Sequence, residues 1–398
     1  MLPGHMRARQ LLVCLLIPLC LFAFDGCRRR GDKSDKKNYT RQLETGQRAL
    51  VEVDASRLPA LVVTPADREH VRRALEQSLA FIAKPGSARF YPIGGITRDQ
   101  VQASVTALRD LLATPISDAE LNAAIHTRFR VLMSVGCDDQ GTVLFTGYCT
   151  PIYDGRLTRD ARFRFPLYQR PADLVSGTGD QIAQRRLPDG SLVPYPATEE
   201  LLRSGVLTGR ELVWFSDPFE AYIVQVQGSG KVRLDSGEII DVGYDGTNNH
   251  KYQSIAEELI AAGKVRREEL SLATMRAYFR SHPEEVPVYA AKNPRFIFFT
   301  RTKGGPFGSL GQPVTADVTI ATDKTIFPPA APAIVQTSTY GLSGAQTAYA
   351  ALRVDQDSGG AIRAPGRCDL YMGEGDSAER RAGFQLAEGK LFYLILRE

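Results

Sequence analysis

Apolar residues recur every three or four positions over residues 67–83, at Val71, Ala74, Leu75, Leu79 and Ile82, and similar spacing runs over 117–132. This predicts two helices, the second opened by a capping box in which Ser117 precedes Glu120 by three positions. From Thr142 the pattern changes to short runs rich in β-branched and aromatic residues, at 142–148, 163–168, 221–227 and 231–234, separated by Gly, Asp and Pro. These runs predict an antiparallel β region. Helical spacing returns over 252–262, closed by Gly263, and over 268–280, closed by Ser281-His282-Pro283. Short strands are then expected at 296–299, 316–321, 333–336, 370–372 and 391–396, the pattern of a small barrel or sandwich.

The first 26 residues have a different pattern. Arg7 and Arg9 precede an uninterrupted apolar run from Leu11 to Phe24 that contains Pro18, followed by Asp25, Gly26 and Cys27. A bilayer-spanning helix needs about 20 apolar residues, so this shorter run reads as a secretory signal. A small residue directly before a Cys resembles a bacterial lipoprotein cleavage site, with Cys27 as the lipidated first mature residue. Phe24 and Asp25 depart from the usual residues of such a site, and an ordinary secretory signal is the alternative.

Composition changes this picture little. The chain has 398 residues, 43% hydrophobic and 24% charged, values of a globular protein of two domains or one large one. Its net charge of +4 is concentrated in residues 28–41, where seven Lys or Arg stand against two Asp. The remainder is nearly neutral, which argues against a nucleic-acid surface. The basic stretch reads as a solvated tether that would also favour an anionic leaflet, the second signal that lipid anchoring needs. After the signal and Cys27, only Cys137, Cys149 and Cys368 remain. That is too few for a disulfide scaffold, and one bridge is left open.

The five His are scattered singly and no Cys cluster has zinc spacing, so neither a metal nor a cofactor is expected. There is no P-loop and no G-x-S-x-G. Residues 341–345, Gly-Leu-Ser-Gly-Ala, read as a turn, and Gly228-Ser229-Gly230 lacks the third glycine of a dinucleotide loop. Carboxylates near glycine are the remaining candidates. Asp357 precedes Ser358-Gly359-Gly360, where backbone can approach a ligand, and Asp369 starts a short strand beside Cys368 and Tyr371, a semi-apolar setting that could raise its pKa. The bland alternative is turn chemistry at Asp357 and a solvated strand end at Asp369. Asp-Ser-Gly recurs at 235–237, but there it reads as the tip of a surface hairpin, which rejects an aspartic-protease pair.

Four ordered motifs give a resemblance: Phe145-Thr146-Gly147-Tyr148-Cys149-Thr150-Pro151, Val226-Gln227-Gly228-Ser229-Gly230, Asn293-Pro294-Arg295-Phe296-Ile297-Phe298-Phe299, and Asp357-Ser358-Gly359-Gly360-Ala361-Ile362 with Cys368-Asp369-Leu370-Tyr371. Together they resemble the membrane-bound lytic murein transglycosylases of the A type, from about Gly136 to the C-terminus. The resemblance implies a mainly β protein with peripheral helices: a double-psi β-barrel domain plus an inserted second β domain, with a groove between them for peptidoglycan glycan strands. The expected divisions are a signal peptide at 1–26, a tether at 27–45, a helical part at 46–138 packing on the barrel domain, a murein-binding insert at 139–285 and the barrel domain at 286–398.

The activity implied is cleavage of the β-1,4 bond between N-acetylmuramic acid and N-acetylglucosamine without water, leaving a 1,6-anhydro ring. One carboxylic acid suffices, because the sugar's own 6-hydroxyl attacks. That acid maps to Asp369, with Asp357 as a second catalytic-site carboxylate. Gly359, Gly360 and Ala361 match the loop lining the cleaving subsite, and Thr146, Gly147, Tyr148, Gln227, Gly228 and Ser229 match groove positions. Cys149 departs from the family, which usually has Tyr there, and Cys368 places a thiol directly before the acid. A hydrolytic muramidase and a non-catalytic peptidoglycan-binding lipoprotein are the rival readings. Expected partners are glycan strands, the membrane through the Cys27 anchor, and wall-synthesis proteins. The expected location is the periplasmic face of the outer membrane, or else the soluble periplasm.

Overall fold

The computed structural model describes residues 37–177, 181–270, 272–340, 346–359 and 362–398. The signal segment, Cys27, the turn at 341–345, Gly360 and Ala361 lie outside the described residues. A short strand β1 (Leu50–Val53) precedes three helices, α1 (Pro65–Ile82), α2 (Arg98–Ala113) and α3 (Asp118–Arg128). Each helix begins with a capping box, formed by Thr64 with Asp67, Thr97 with Gln100 and Ser117 with Glu120. The helix expected over 117–132 stops at Arg128, because Phe129–Ser134 is strand β2, buried at all positions except Arg130. Helix α2 was not anticipated, although Val101, Val105, Leu108 and Leu112 bury one face at helical spacing.

Strand β3 (Val143–Thr150) passes through Pro151 into β4 (Ile152–Arg156) and thus into a second sheet. There follow β5 (Phe165–Tyr168), β6 (Leu174–Val175), β7 (Gln184–Arg186), β8 (Leu192–Pro194), α4 (Thr198–Arg203), β9 (Glu211–Phe215), α5 (Pro218–Gln227), β10 (Ser229–Arg233) and β11 (Ile239–Thr247). Three helices, α6 (Ile255–Ala261), α7 (Leu272–Ser281) and α8 (Glu285–Ala291), lead to β12 (Ile297–Thr302). The second sheet has the order β12-β11-β10-β4-β9-β5, and β6, β7 and β8 form a small sheet of their own.

The strand expected at 221–227 is instead helix α5. Asp217 caps it, accepting from the Phe219 and Glu220 amides at 2.7 and 3.3 Å, Pro218 occupies the first turn, and Gly228 ends it at φ 75°. Its apolar residues face two ways. Ala221 and Val224 pack into the second sheet's core, while Phe219, Tyr222 and Ile223 pack against the α6–α8 helices. A helix buried on both sides has no polar stripe, and so reads like a β run.

The chain closes with β13 (Thr319–Ala321), β14 (Pro332–Tyr340), β15 (Gln346–Asp357), β16 (Arg367–Glu374), α9 (Gly375–Phe384) and β17 (Leu386–Leu396). Strands β17, β14, β15, β13, β16 and β3 pair in that order, and β3 pairs back onto β17. The result is a closed six-stranded barrel, with β2 and then β1 added outside β17. Two of its pairings, β13 with β15 and β16 with β3, are parallel. The mainly β architecture with peripheral helices, expected from the resemblance, is the one observed. Helices α1–α3 share the barrel's core, and Gln356 on β15 ties them in by donating to the Ala74 carbonyl at 2.7 Å.

Candidate functional site

Alternation along β3 puts Thr146, Tyr148 and Thr150 on one face. Its parallel partner β16 sets Asp369 beside Thr146 and Tyr371 beside Tyr148. On the other flank of β16, Asp369 pairs with Ala321 of β13, and Ala321 also pairs with Asp357 of β15. The two aspartates thus stand on either side of a single alanine, at roughly 10 Å between Cα atoms for two strand spacings. Only strand pairing brings Thr146 and Asp369 together, across 223 positions of sequence.

The two carboxyls are held differently. Asp357 accepts from the Ser309 amide on Oδ1 at 2.8 Å, from the Ser358 amide on the same oxygen at 2.8 Å, and from the Tyr148 hydroxyl on Oδ2 at 2.8 Å. Both of its oxygens are occupied. Asp369 is 5% exposed, and its Oδ1 accepts from the Thr146 hydroxyl and lies 3.5 Å from Arg367 Nη2. Among the described residues no donor reaches its Oδ2. Burial pushes both carboxyls above the usual aspartate range. At Asp357 the Ser309 amide, Tyr148 and the Ser358 amide oppose that rise. At Asp369 Arg367 and Thr146 oppose it, while the charge of Asp357 adds to it.

Around this pair, Tyr148 and Tyr371 pack with ring centroids 5.1 Å apart, and the Tyr371 hydroxyl lies 3.0 Å from Thr150 Oγ1. Gly147 faces the other way: a Cβ there would lie 2.7 Å from Ala382 Cα, so its missing side chain lets α9 sit directly on β3. Gly359 is buried at the start of the loop after β15, and its carbonyl accepts from Ile362 at 3.0 Å. Gln227, Gly228 and Ser229 do not touch the carboxyl pair. They form the turn from α5 into β10, two residues before Lys231, whose Nζ lies 3.3 Å from Glu374 at the end of β16. That ion pair sets the turn at the junction of the second sheet with the barrel.

Sequence reasoning missed several residues here. Arg367 lies two positions before Asp369 and shares its face, a signal that period-two alternation could have supplied. Ser309 acts through its backbone amide, which no residue type announces. Below the pair, Asp355 is fully buried, ion-paired to Lys324, and accepts from Thr322 at 2.7 Å and Tyr393 at 2.8 Å. The three described cysteines are free, which answers the open bridge. Burial pushes the Cys368 thiol well up and that of Cys149 to about 12, so neither is poised as a thiolate. No group of His, Cys, Asp and Glu among the described residues could hold a metal ion.

A closed barrel that presents one fully ligated and one half-ligated carboxyl beside a second sheet holds the groups that acid–base chemistry uses. The comparisons give the particular family. The MltA specific insert domain matches residues 144–300, and the 3D domain matches residues 318–395. Membrane-bound lytic murein transglycosylase A of Escherichia coli (strain K12) is 30% identical over 265 residues, 65% of this chain and 67% of that protein. The chain belongs to the family of membrane-bound lytic murein transglycosylase A. Among solved structures, the lytic transglycosylase LtgG of Burkholderia pseudomallei is 29% identical with a TM-score of 0.52, covering 89% of this chain and 97% of that one. Escherichia coli MltA with bound chitohexaose is 24% identical with a TM-score of 0.61, covering 92% and 100%. It shares the fold.

Proposed function

We propose that this protein is a peptidoglycan lytic transglycosylase that cleaves the β-1,4 bond between N-acetylmuramic acid and N-acetylglucosamine and leaves a 1,6-anhydro ring, with Asp369 as the acid and then the base. The observation that carries the reading is the asymmetry of Asp369. Donors on Oδ1 keep the proton off that oxygen, burial favours the protonated form, and Oδ2 is left to give the proton to the leaving oxygen. The resulting carboxylate takes the proton of the muramic 6-hydroxyl as that oxygen closes on C1. No water is consumed, so a second, water-activating carboxylate is not needed. Asp357, with every oxygen already bonded, supports the site and orients Tyr148.

The glycan strand would run along the face carrying Thr146 and Tyr148 toward the Gln227-Gly228-Ser229 turn, with Gly359 at the cleaving subsite. Chitohexaose bound to the Escherichia coli relative is in keeping with this. Gly147 would act by seating α9, which fixes Thr146 and Tyr148 beside it. The expected divisions at 139 and 286 shift, because β3 is a barrel strand and β12 belongs to the second sheet, while export by the N-terminal signal and anchoring to the outer membrane through lipidated Cys27 belong to the same reading. It is supported by relatives named as membrane-bound and by the basic tether. No helix among the described residues is long and apolar enough to cross a membrane.

Purified peptidoglycan treated with the protein should release muropeptides 18 Da lighter than hydrolytic products, the mass of the water not added. Asp369→Asn should release none. Reducing-end products would make the protein a hydrolase. Equal release by Asp369→Asn would remove that residue from the mechanism, and retained binding without release would leave a wall-binding protein.

A further inference from the structure

Arg367 and Asp369 are two residues apart on β16, so their side chains leave the same face of the strand. Arg367 Nη2 donates to Thr146 Oγ1 at 3.2 Å and lies 3.5 Å from Asp369 Oδ1, while Thr146 Oγ1 in turn donates to that Oδ1. The three groups close a triangle. The Thr146 hydroxyl has one hydrogen, and accepting from a guanidinium that cannot lose its proton directs that hydrogen at the carboxylate. The side chain of Arg367 is 18% exposed and that of Asp369 7%, so little water screens the pair.

We propose that Arg367 is a positioning residue for the transglycosylase site: through Thr146 and by its own charge it confines Asp369 Oδ1 to the role of acceptor, so that in the acid form the proton rides on Oδ2. This rests on the assignment of Asp369 as the acid. Three strands bring groups near Asp369. Strand β3 offers the neutral Thr146, β13 the apolar Ala321, and β15 the carboxylate of Asp357, which repels. Tyr148 stands behind Asp357 as a neutral phenol, burial holding its hydroxyl well above the usual tyrosine range. Arg367 is therefore the cation in ion-pair reach of the acid among the described residues.

A role in proton placement has consequences that a packing role lacks. Arg367 favours the carboxylate of Asp369, against the rise imposed by burial. Without it the acid form persists to higher pH, so the alkaline limb of the rate profile moves upward, while loss of orientation lowers kcat at the optimum.

The test is the rate of anhydro-end release from soluble, uncross-linked glycan strands, measured from pH 4 to pH 9. The full chain is compared with Arg367→Gln, Arg367→Lys and Asp369→Asn, and Tm is recorded for each. Arg367→Gln should lose about 10-fold in kcat with KM nearly unchanged, and its alkaline limb should move up. Arg367→Lys, which restores the charge without the fork, should return the limb toward the wild type. An unmoved limb in Arg367→Gln, or a fall in rate that follows Tm alone, overturns the proposal and leaves Arg367 a packing residue. Full activity in Asp369→Asn would instead sink the acid assignment itself, whatever the arginine variants do.

Discussion

At the scale of single residues, solvation sets the behaviour of the ionisable groups. Glu220, in the first turn of α5, is half-buried, and its carboxyl is pushed up to about 7 by burial first and by Asp217 second, with Arg276 opposing. A carboxyl whose folded pKa lies above its ordinary 4.5 contributes stability that is fully present below pH 4.5 and is lost as pH rises through about 7. Glu220→Gln, neutral throughout, should therefore gain stability relative to the parent between pH 4.5 and 7. Melting curves at pH 4.5 and 7.5 check this, and a constant Tm difference would mean that Glu220 is not desolvated. The site residues follow a related logic. Asp369 could be named from its Cys-Asp-Leu-Tyr setting and Asp357 from Asp-Ser-Gly-Gly. Nothing in either motif says that Ala321 would stand between them, because strand pairing is non-local and leaves no mark in the flanking residues.

Several elements were legible where one face is buried and the other wet, although α2, striped in the same way, was missed. Helix α1 shows its stripe in Val71, Ala74, Leu75 and Ile82, and the hairpin tip at 235–237 is there as expected, with Gly237 at φ 83°. Legibility fails where an element is covered on two sides, as α5 is, and where the local sequence is plain. Strand β15 was not anticipated, although Asp357 at its end was singled out, since Gln346, Ala348, Ala350 and Ala351 carry little β signal. Helix α9, Gly375–Phe384, was not seen at all, yet it is what Gly147 serves. An alanine at 147 would put Cβ 2.7 Å from Ala382 Cα and 3.1 Å from its carbonyl oxygen, both rigid backbone atoms. Gly147→Ala should then cost about 1–3 kcal/mol of stability as α9 is pushed off β3, and release should slow because Thr146 and Tyr148 ride on the same strand. Denaturant melts read the first effect. An unchanged midpoint would show that the helix yields freely.

For the molecule as a whole, the barrel and the second sheet are joined by a continuous run from β3 into β4 and by charged contacts across the junction. Arg276 of α7 donates to Glu379 of α9 at 2.6 Å and reaches the Tyr153 hydroxyl at 3.5 Å, and Lys231 of β10 bridges Asp241 at 2.7 Å and Glu374 at 3.3 Å. Arg276→Ala removes one tie from the junction between the barrel and the second sheet, which the proposed glycan path crosses. It should cost about 1 kcal/mol in stability, as partly exposed pairs do, and raise KM for glycan strands more than it lowers kcat. A change in kcat alone would place Arg276 in the chemistry instead. The final strand, β17, pairs with β2, β3 and β14, and so closes the cylinder in which Asp369 meets Thr146. Before β17 docks, the chain holds the sequence of the acid but not its setting. The site is therefore complete only once the cylinder has closed, and the acid depends on a strand that it never touches.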